Sequence, residues 1–164
     1  MTQILDMQKS TTLFIVALVG AGAVAAGWMF WPSAPLGRAD AGDARQVALG
    51  AQVYRDNCAS CHGANLEGQP DWTTRKPNGR FPAPPHDETG HTWHHPDDTL
   101  FGLTKSGLKP PLAPAGYQSD MPAFGAVLSD EQIWAVLAFI KSRWPEKIRT
   151  RQSSLNDRTT LKKQ

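Results

Sequence analysis

The longest apolar stretch of the chain, residues 12–31, contains no charged residue and is long enough to cross about 30 Å of hydrocarbon as a helix. Lys9 precedes it, Trp28 and Trp31 stand where interfacial aromatics lie, and Pro32 closes it. That arrangement predicts a single transmembrane helix with a short cytoplasmic N-terminus and the rest of the chain outside. A cleavable signal peptide is the alternative, because the small residues Ala21 to Ala26 offer an Ala-x-Ala-like site. Apolar residues continue to Trp31, past any such cleavage point, and this favours the uncleaved anchor. Residues 32–42, rich in Pro, Ala and Gly, read as a short linker that holds the globular part near the membrane.

Beyond the linker the apolar positions recur at helical spacing in three places. Asp43 predicts the cap of a helix over 44–57, with Val47, Gly50, Ala51 and Tyr54 on one face. Glycine is costly inside a helix, and Gly50 is explained if the last helix approaches closely there. That last helix starts at Ser129, which has Gln132 at the capping-box position. It carries the stripe Ile133, Val136, Leu137 and Ile140, and Pro145 stops it. A third helix is predicted over Pro96–Lys105, with Asp97 and Asp98 in its first turn, Leu100, Phe101 and Leu103 inward, and Gly107 as its end. Segments 63–94 and 107–125 hold most of the Pro and Gly and show no strand alternation, so they read as ordered loops.

With thirteen prolines and fourteen glycines in 164 residues, a domain of few short helices needs something besides regular structure to pack around. Charge is uneven: residues 38–140 carry 8 basic and 12 acidic side chains, and residues 141–164 carry 8 basic against Glu146 and Asp157. The slightly acidic body excludes the broad basic surface of a nucleic-acid binder. The basic end, 146–164, reads as a solvated, disordered tail, with anionic lipid or an acidic partner as its candidate contacts.

The chemistry centres on Cys58-Ala59-Ser60-Cys61-His62. Two thiols one helical turn apart can each form a thioether to a vinyl group on one porphyrin edge, and the adjacent imidazole supplies the proximal iron ligand. The competing readings are a thioredoxin-like Cys-x-x-Cys, which wants a preceding strand in a βαβ pattern, and half a zinc site, which wants two more ligands at matching spacing. Neither pattern is present. For the sixth ligand the candidate is Met121, the one methionine after the apolar stretch, in the loop Ser119-Asp120-Met121-Pro122-Ala123-Phe124-Gly125. A thioether is a soft donor that raises the potential. Competing for that position are His86, His91, His94 and His95, any of which gives a bis-histidine site of lower potential. His91, His94 and His95 are also a candidate second metal site, for copper or a similar cation. Trp72, Arg75, Arg80 and Trp93 are candidate neighbours of the haem propionates.

A Gly/Tyr helix, the Cys-x-x-Cys-His-Gly run at 58–63, a Pro-rich loop, a helix ending in Gly, a Met-Pro-x-Phe loop and a final helix together resemble class I cytochrome c over residues 43–145. The resemblance implies an all-α domain around one covalent haem c at Cys58 and Cys61, with His62 and Met121 as axial ligands. It also implies a proline carbonyl orienting the proximal imidazole, with Pro84 and Pro85 as candidates and Pro85 as the expected haem-pocket contact. The expected organisation is an anchor over 1–31, a linker over 32–42, the cytochrome domain over 43–145 and the tail. The expected function is one-electron transfer, without substrate chemistry, between redox proteins on the periplasmic side of a bacterial inner membrane. The alternatives are a haem subunit fixed in an oxidase or dehydrogenase complex, and a gas- or copper-responsive haem protein.

Overall fold

A computed structural model describes residues 38–161. Among them the regular elements are all helical: α1 (Ala44–Asn57), α2 (Ala59–His62), a 3-10 turn (Thr92–His94), α3 (Asp97–Ser106), α4 (Asp130–Ser142) and α5 (Glu146–Leu161). No helix among the described residues is long and apolar enough to cross a membrane. The expected span at 12–31 lies outside the described residues.

α1 and α4 form the central pair. The Asp43 carboxylate accepts from the amides of Arg45 (2.9 Å) and Gln46 (3.2 Å), which starts α1 where the sequence placed it. Ser129 and Gln132 complete the capping box of α4 reciprocally, at 3.2 and 2.9 Å. The helices meet at Gly50, where a Cβ would collide with the Ala135 carbonyl, so the cost of that glycine is the close crossing itself. Around the crossing, Val53, Tyr54, Ile133, Val136, Ile140 and Trp144 make the main core. α3 packs beside α4 through Leu100 and Leu137 and through Phe101 stacked on Trp134, ring centroids 4.3 Å apart. Gly107, at φ +82°, ends α3.

The inner face of α1 differs in part from the one expected. Gln46 is buried alongside Gly50, Val53 and Tyr54, whereas Val47 and Ala51 are half-buried. Gln46 is admitted because its amide is satisfied at both ends, accepting from the Asp40 amide (2.7 Å) and donating to the Arg38 carbonyl (3.0 Å).

The larger correction concerns the basic end. Residues 146–161, expected as a disordered tail, form α5, the longest helix among those described. Its buried positions, Gln152 and Asn156, are polar, so the apolar stripe that announces a docked helix is missing. Gln152 Nε2 donates to Asp97 Oδ1 (2.6 Å) and to the His95 carbonyl (3.2 Å), and the Asp97 amide donates to Asn156 Oδ1 (2.8 Å). Lys141 Nζ completes the network with bonds to Asp97 Oδ2 (2.7 Å) and the Ala39 carbonyl (2.8 Å).

Candidate functional site

α1 hands the chain directly to the motif. The Cys58 amide still bonds to the Tyr54 carbonyl (2.9 Å), and Cys58 then caps α2, so both thiols and His62 occupy a single helical turn. Gly63, at φ +82°, turns the chain out of that helix. The Tyr54 hydroxyl donates to the Gly63 carbonyl (2.9 Å) and approaches the His62 carbonyl (3.3 Å), tying the end of the motif to the central helix pair.

No disulfide joins the two cysteines, and Cys58 is half-buried and Cys61 exposed. Burial, with the adjacent Cys61 as a smaller contribution, pushes the Cys58 thiol up to about 11. His62 is 7% exposed, and its Nδ1 lies 2.9 Å from the Pro84 carbonyl. A carbonyl can only accept, so Nδ1 carries the proton and Nε2 is left as the ring's lone-pair donor. Burial lowers the affinity of His62 for a second proton, partly opposed by the Pro84 contact, and this favours the neutral imidazole that a metal requires. The carbonyl is that of Pro84. Pro85, the residue expected there, is buried with its own carbonyl against Gly90, where a Cβ would collide with it.

Cys58, Cys61 and His62 open onto a cavity of about 470 Å³, which Met121 lines from the 119–125 loop and Leu100, Phe124 and Ile140 line from the core. That volume falls within the roughly 300–1,000 Å³ of cofactor pockets. Two thiols one turn apart, a neutral imidazole with a bare nitrogen, a thioether and apolar walls on a single cavity are a donor set that fits a haem.

A family model for cytochrome c matches residues 47–144. The chain belongs to the cytochrome c family. It is similar to the cytochrome bc1 complex cytochrome c subunits of Mycobacterium tuberculosis, Mycobacterium bovis and Mycobacterium leprae, each 39% identical over 59 residues. Each match covers 36% of this chain and 20% of the relative, so the chain aligns with about a fifth of the length of these proteins. No solved structure matches it. The family makes this cytochrome c an electron-transfer haem protein, and its expected attachment motif is the turn described above.

The residues expected around the propionates separate. Trp72 lines the cavity, and Lys76, Gln69 and Tyr117, which the sequence did not single out, line it too. Arg75 lies over the Phe81 ring (4.2 Å) and donates to the Gly79 carbonyl (2.5 Å). Arg80 is paired with Asp120 and Trp93 donates to the Glu88 carbonyl (3.2 Å), and neither is among the residues that line the cavity. Asp120 also receives Lys76 Nζ at 2.6 Å. These hydrogen bonds, to Lys76 first and Arg80 second, hold its carboxyl below the usual range.

Two cations on one carboxylate, next to Met121, make a clip between the 76–80 turn and the methionine loop. Exposed ion pairs are individually weak because water screens them. Asp120→Asn should therefore leave the fold intact but raise the rate at which the reduced protein binds carbon monoxide, because the loop is then less restrained. Stopped-flow mixing reads that rate, and an unaltered rate would show that the clip does not restrain the loop.

The histidines do not form the second metal site expected from His91, His94 and His95. The His91 and His94 rings stack (5.1 Å, 19°) and His95 meets His91 edge-on (4.8 Å, 75°). Among the described residues no group of three His, Cys, Asp or Glu is placed to hold a metal ion. His86 lies face to face with His62, ring centroids 4.0 Å apart at 20°. It therefore lies alongside the His62 ring, face to face with it.

Burial, and then the neighbouring His62, hold the His86 ring's pKa well below the ordinary 6.5. The unfolded chain gains a proton there as pH falls through 6.5 and the folded chain does not, so folding weakens toward acid by up to about 1.4 kcal/mol per pH unit. Urea midpoints at pH 7.5 and 5 should show that slope flattened in His86→Phe. An equal slope in the two proteins would contradict it.

Proposed function

We propose that this cytochrome c is a one-electron carrier with a single haem bound covalently at Cys58 and Cys61 and ligated by His62 and Met121. When bound, the haem supplies one reversible electron between ferrous and ferric iron. The chain's residues do the rest. Pro84 fixes the tautomer and direction of His62, and the apolar wall through Leu100, Phe124 and Ile140 would keep water from a haem held there. The 119–125 loop delivers the thioether. The observation that carries this reading is the meeting of both thiols, His62 and Met121 on one apolar cavity. With His62 and Met121 both holding it, the iron would offer no open site to oxygen or peroxide, so no enzymatic turnover is needed.

Residues 12–31 anchor the protein in a bacterial inner membrane with the haem domain on the periplasmic side, where thioether attachment and an extracytoplasmic domain are consistent with each other. Its partners are respiratory redox proteins at that membrane. The similarity to cytochrome bc1 complex subunits favours a complex of that class as one of them, and it also supports a second reading, in which this chain is a fixed subunit of such an assembly. A visible spectrum with a redox titration of the membrane-bound protein tests the first reading. A six-coordinate low-spin spectrum with the weak methionine-to-ferric-iron charge-transfer band is expected, and rapid carbon monoxide binding by the reduced wild type would overturn it. Co-migration with a large assembly in mild detergent would select the subunit reading.

A further inference from the structure

We propose that His86 is a positioning residue that sets the rotational orientation of the His62 ring, and through it the electronic structure of the bound haem. The inference rests on His62 being an iron ligand. An imidazole on a metal can turn about its metal–nitrogen bond, and something must choose the angle. The bond from Nδ1 to the Pro84 carbonyl (2.9 Å) is one restraint, but an N–H···O bond tolerates considerable misalignment before it weakens steeply.

The second restraint is a surface. The His86 and His62 rings are 4.0 Å apart between centroids and within 20° of parallel, a spacing at which ring atoms are in van der Waals contact. Rotation of His62 would drive a ring edge into His86, so the stack resists the motion that the hydrogen bond permits.

A stop works only if it is itself fixed, and His86 is held at three points. Its amide donates to the Leu66 carbonyl (2.7 Å), and its carbonyl accepts from the Trp144 indole (2.7 Å). Its Nδ1 lies 2.6 Å from the hydroxyl of buried Thr92. The Thr92 contact fixes the ring angle, because the backbone bonds leave the side-chain torsions free. Tyr54 meets the same ring edge-on at 6.5 Å. An aliphatic core filler at this position would need neither the parallel alignment nor the hydroxyl tether.

The test is proton NMR of the ferric, haem-loaded protein. The spread of the paramagnetically shifted haem methyl resonances reports the plane of the axial imidazole. His86→Leu keeps apolar bulk but removes the flat face, and the methyl spread should narrow as His62 samples several angles, with the reduction potential shifting alongside. His86→Phe restores a flat ring and should keep a spread close to that of wild type. An unchanged spread in His86→Leu, or equal narrowing in the Leu and Phe variants, overturns the proposal.

If His86→Leu does not retain haem, Thr92→Val leaves both rings and removes only the tether. Narrowing there supports the proposal, and an unchanged spread overturns it. A wild-type spectrum that is not six-coordinate and low-spin would defeat the assignment of His62 and Met121. A low-spin wild type whose His86 and Thr92 variants are indistinguishable from it would defeat this inference alone.

Discussion

Met121→Ala should convert the ferric protein to a form without the methionine charge-transfer band, open the reduced iron to carbon monoxide, and lower the reduction potential. Axial ligands span roughly 0.8 V of haem potential, and replacing a thioether with water or hydroxide should account for a drop on the order of 0.1 V or more. The direction follows from donor character, since a soft, neutral sulfur favours ferrous iron and a hard oxygen favours ferric. The fold should tolerate the change. Met121 is half-buried, and its loop is held independently by Phe124 and Gly125, whose amides donate to the Thr104 (3.0 Å) and Lys105 (2.9 Å) carbonyls. Thermal unfolding should therefore shift modestly while the spectrum changes completely. A wild type without that band, whose spectrum and potential Met121→Ala leaves unchanged, would mean that another side chain occupies the sixth position. His91 and His95 are the candidates there, because they line the same cavity, whereas His86 is stacked on the proximal ring.

The sequence revealed most where the physics is local. The Asp43 cap, the Ser129–Gln132 box and the Gly107 stop are decided within one turn of chain, and each stands as expected. The attachment motif is equally local, because two cysteines and a histidine on one turn need no tertiary information to be brought together. What could not be read depends on partners distant in sequence. Pro84 and Pro85 are indistinguishable until the fold shows which carbonyl reaches His62, 22 positions away. Arg80 looked like a propionate neighbour because it is a cation in the right loop, and only the fold pairs it with Asp120, 40 positions on. The stacking of His86 on His62 joins the two ends of a Pro-rich loop whose path no periodicity reports. α5 was misread for a related reason: its docking face is built from Gln152 and Asn156, and a hydrophobic pattern is silent about helices held by buried hydrogen bonds.

That polar seam carries the other large expected effect. Asp97 and Lys141 keep only 4% and 11% of their side-chain surface exposed, with 2.7 Å between carboxylate and ammonium. Lys141→Met leaves the Asp97 carboxylate in that interior with Gln152 Nε2 on Oδ1 and no countercharge, and removing one partner of a buried pair costs about 3–5 kcal/mol. The double variant Asp97→Asn, Lys141→Met removes both charges, while the side-chain amide oxygen introduced at position 97 can still accept from Gln152. It should recover most of that loss, because replacing a buried pair by uncharged groups of similar volume is close to neutral. Urea unfolding of the haem-loaded wild type and both variants measures the difference. The loss should reach the haem site as well, since Asp97 opens α3, whose Leu100, Leu103 and Thr104 line the cavity. A chain ending at Pro145 separates the two costs: without α5 the pair loses Gln152 and Asn156 but gains water, and resolvated charges no longer depend on each other. Lys141→Met should therefore cost much less in the shortened chain than in the full one. Equal costs in both would mean that α5 does not seal the pair from solvent and is bound to the domain by its half-buried Ile148 and Leu155 instead.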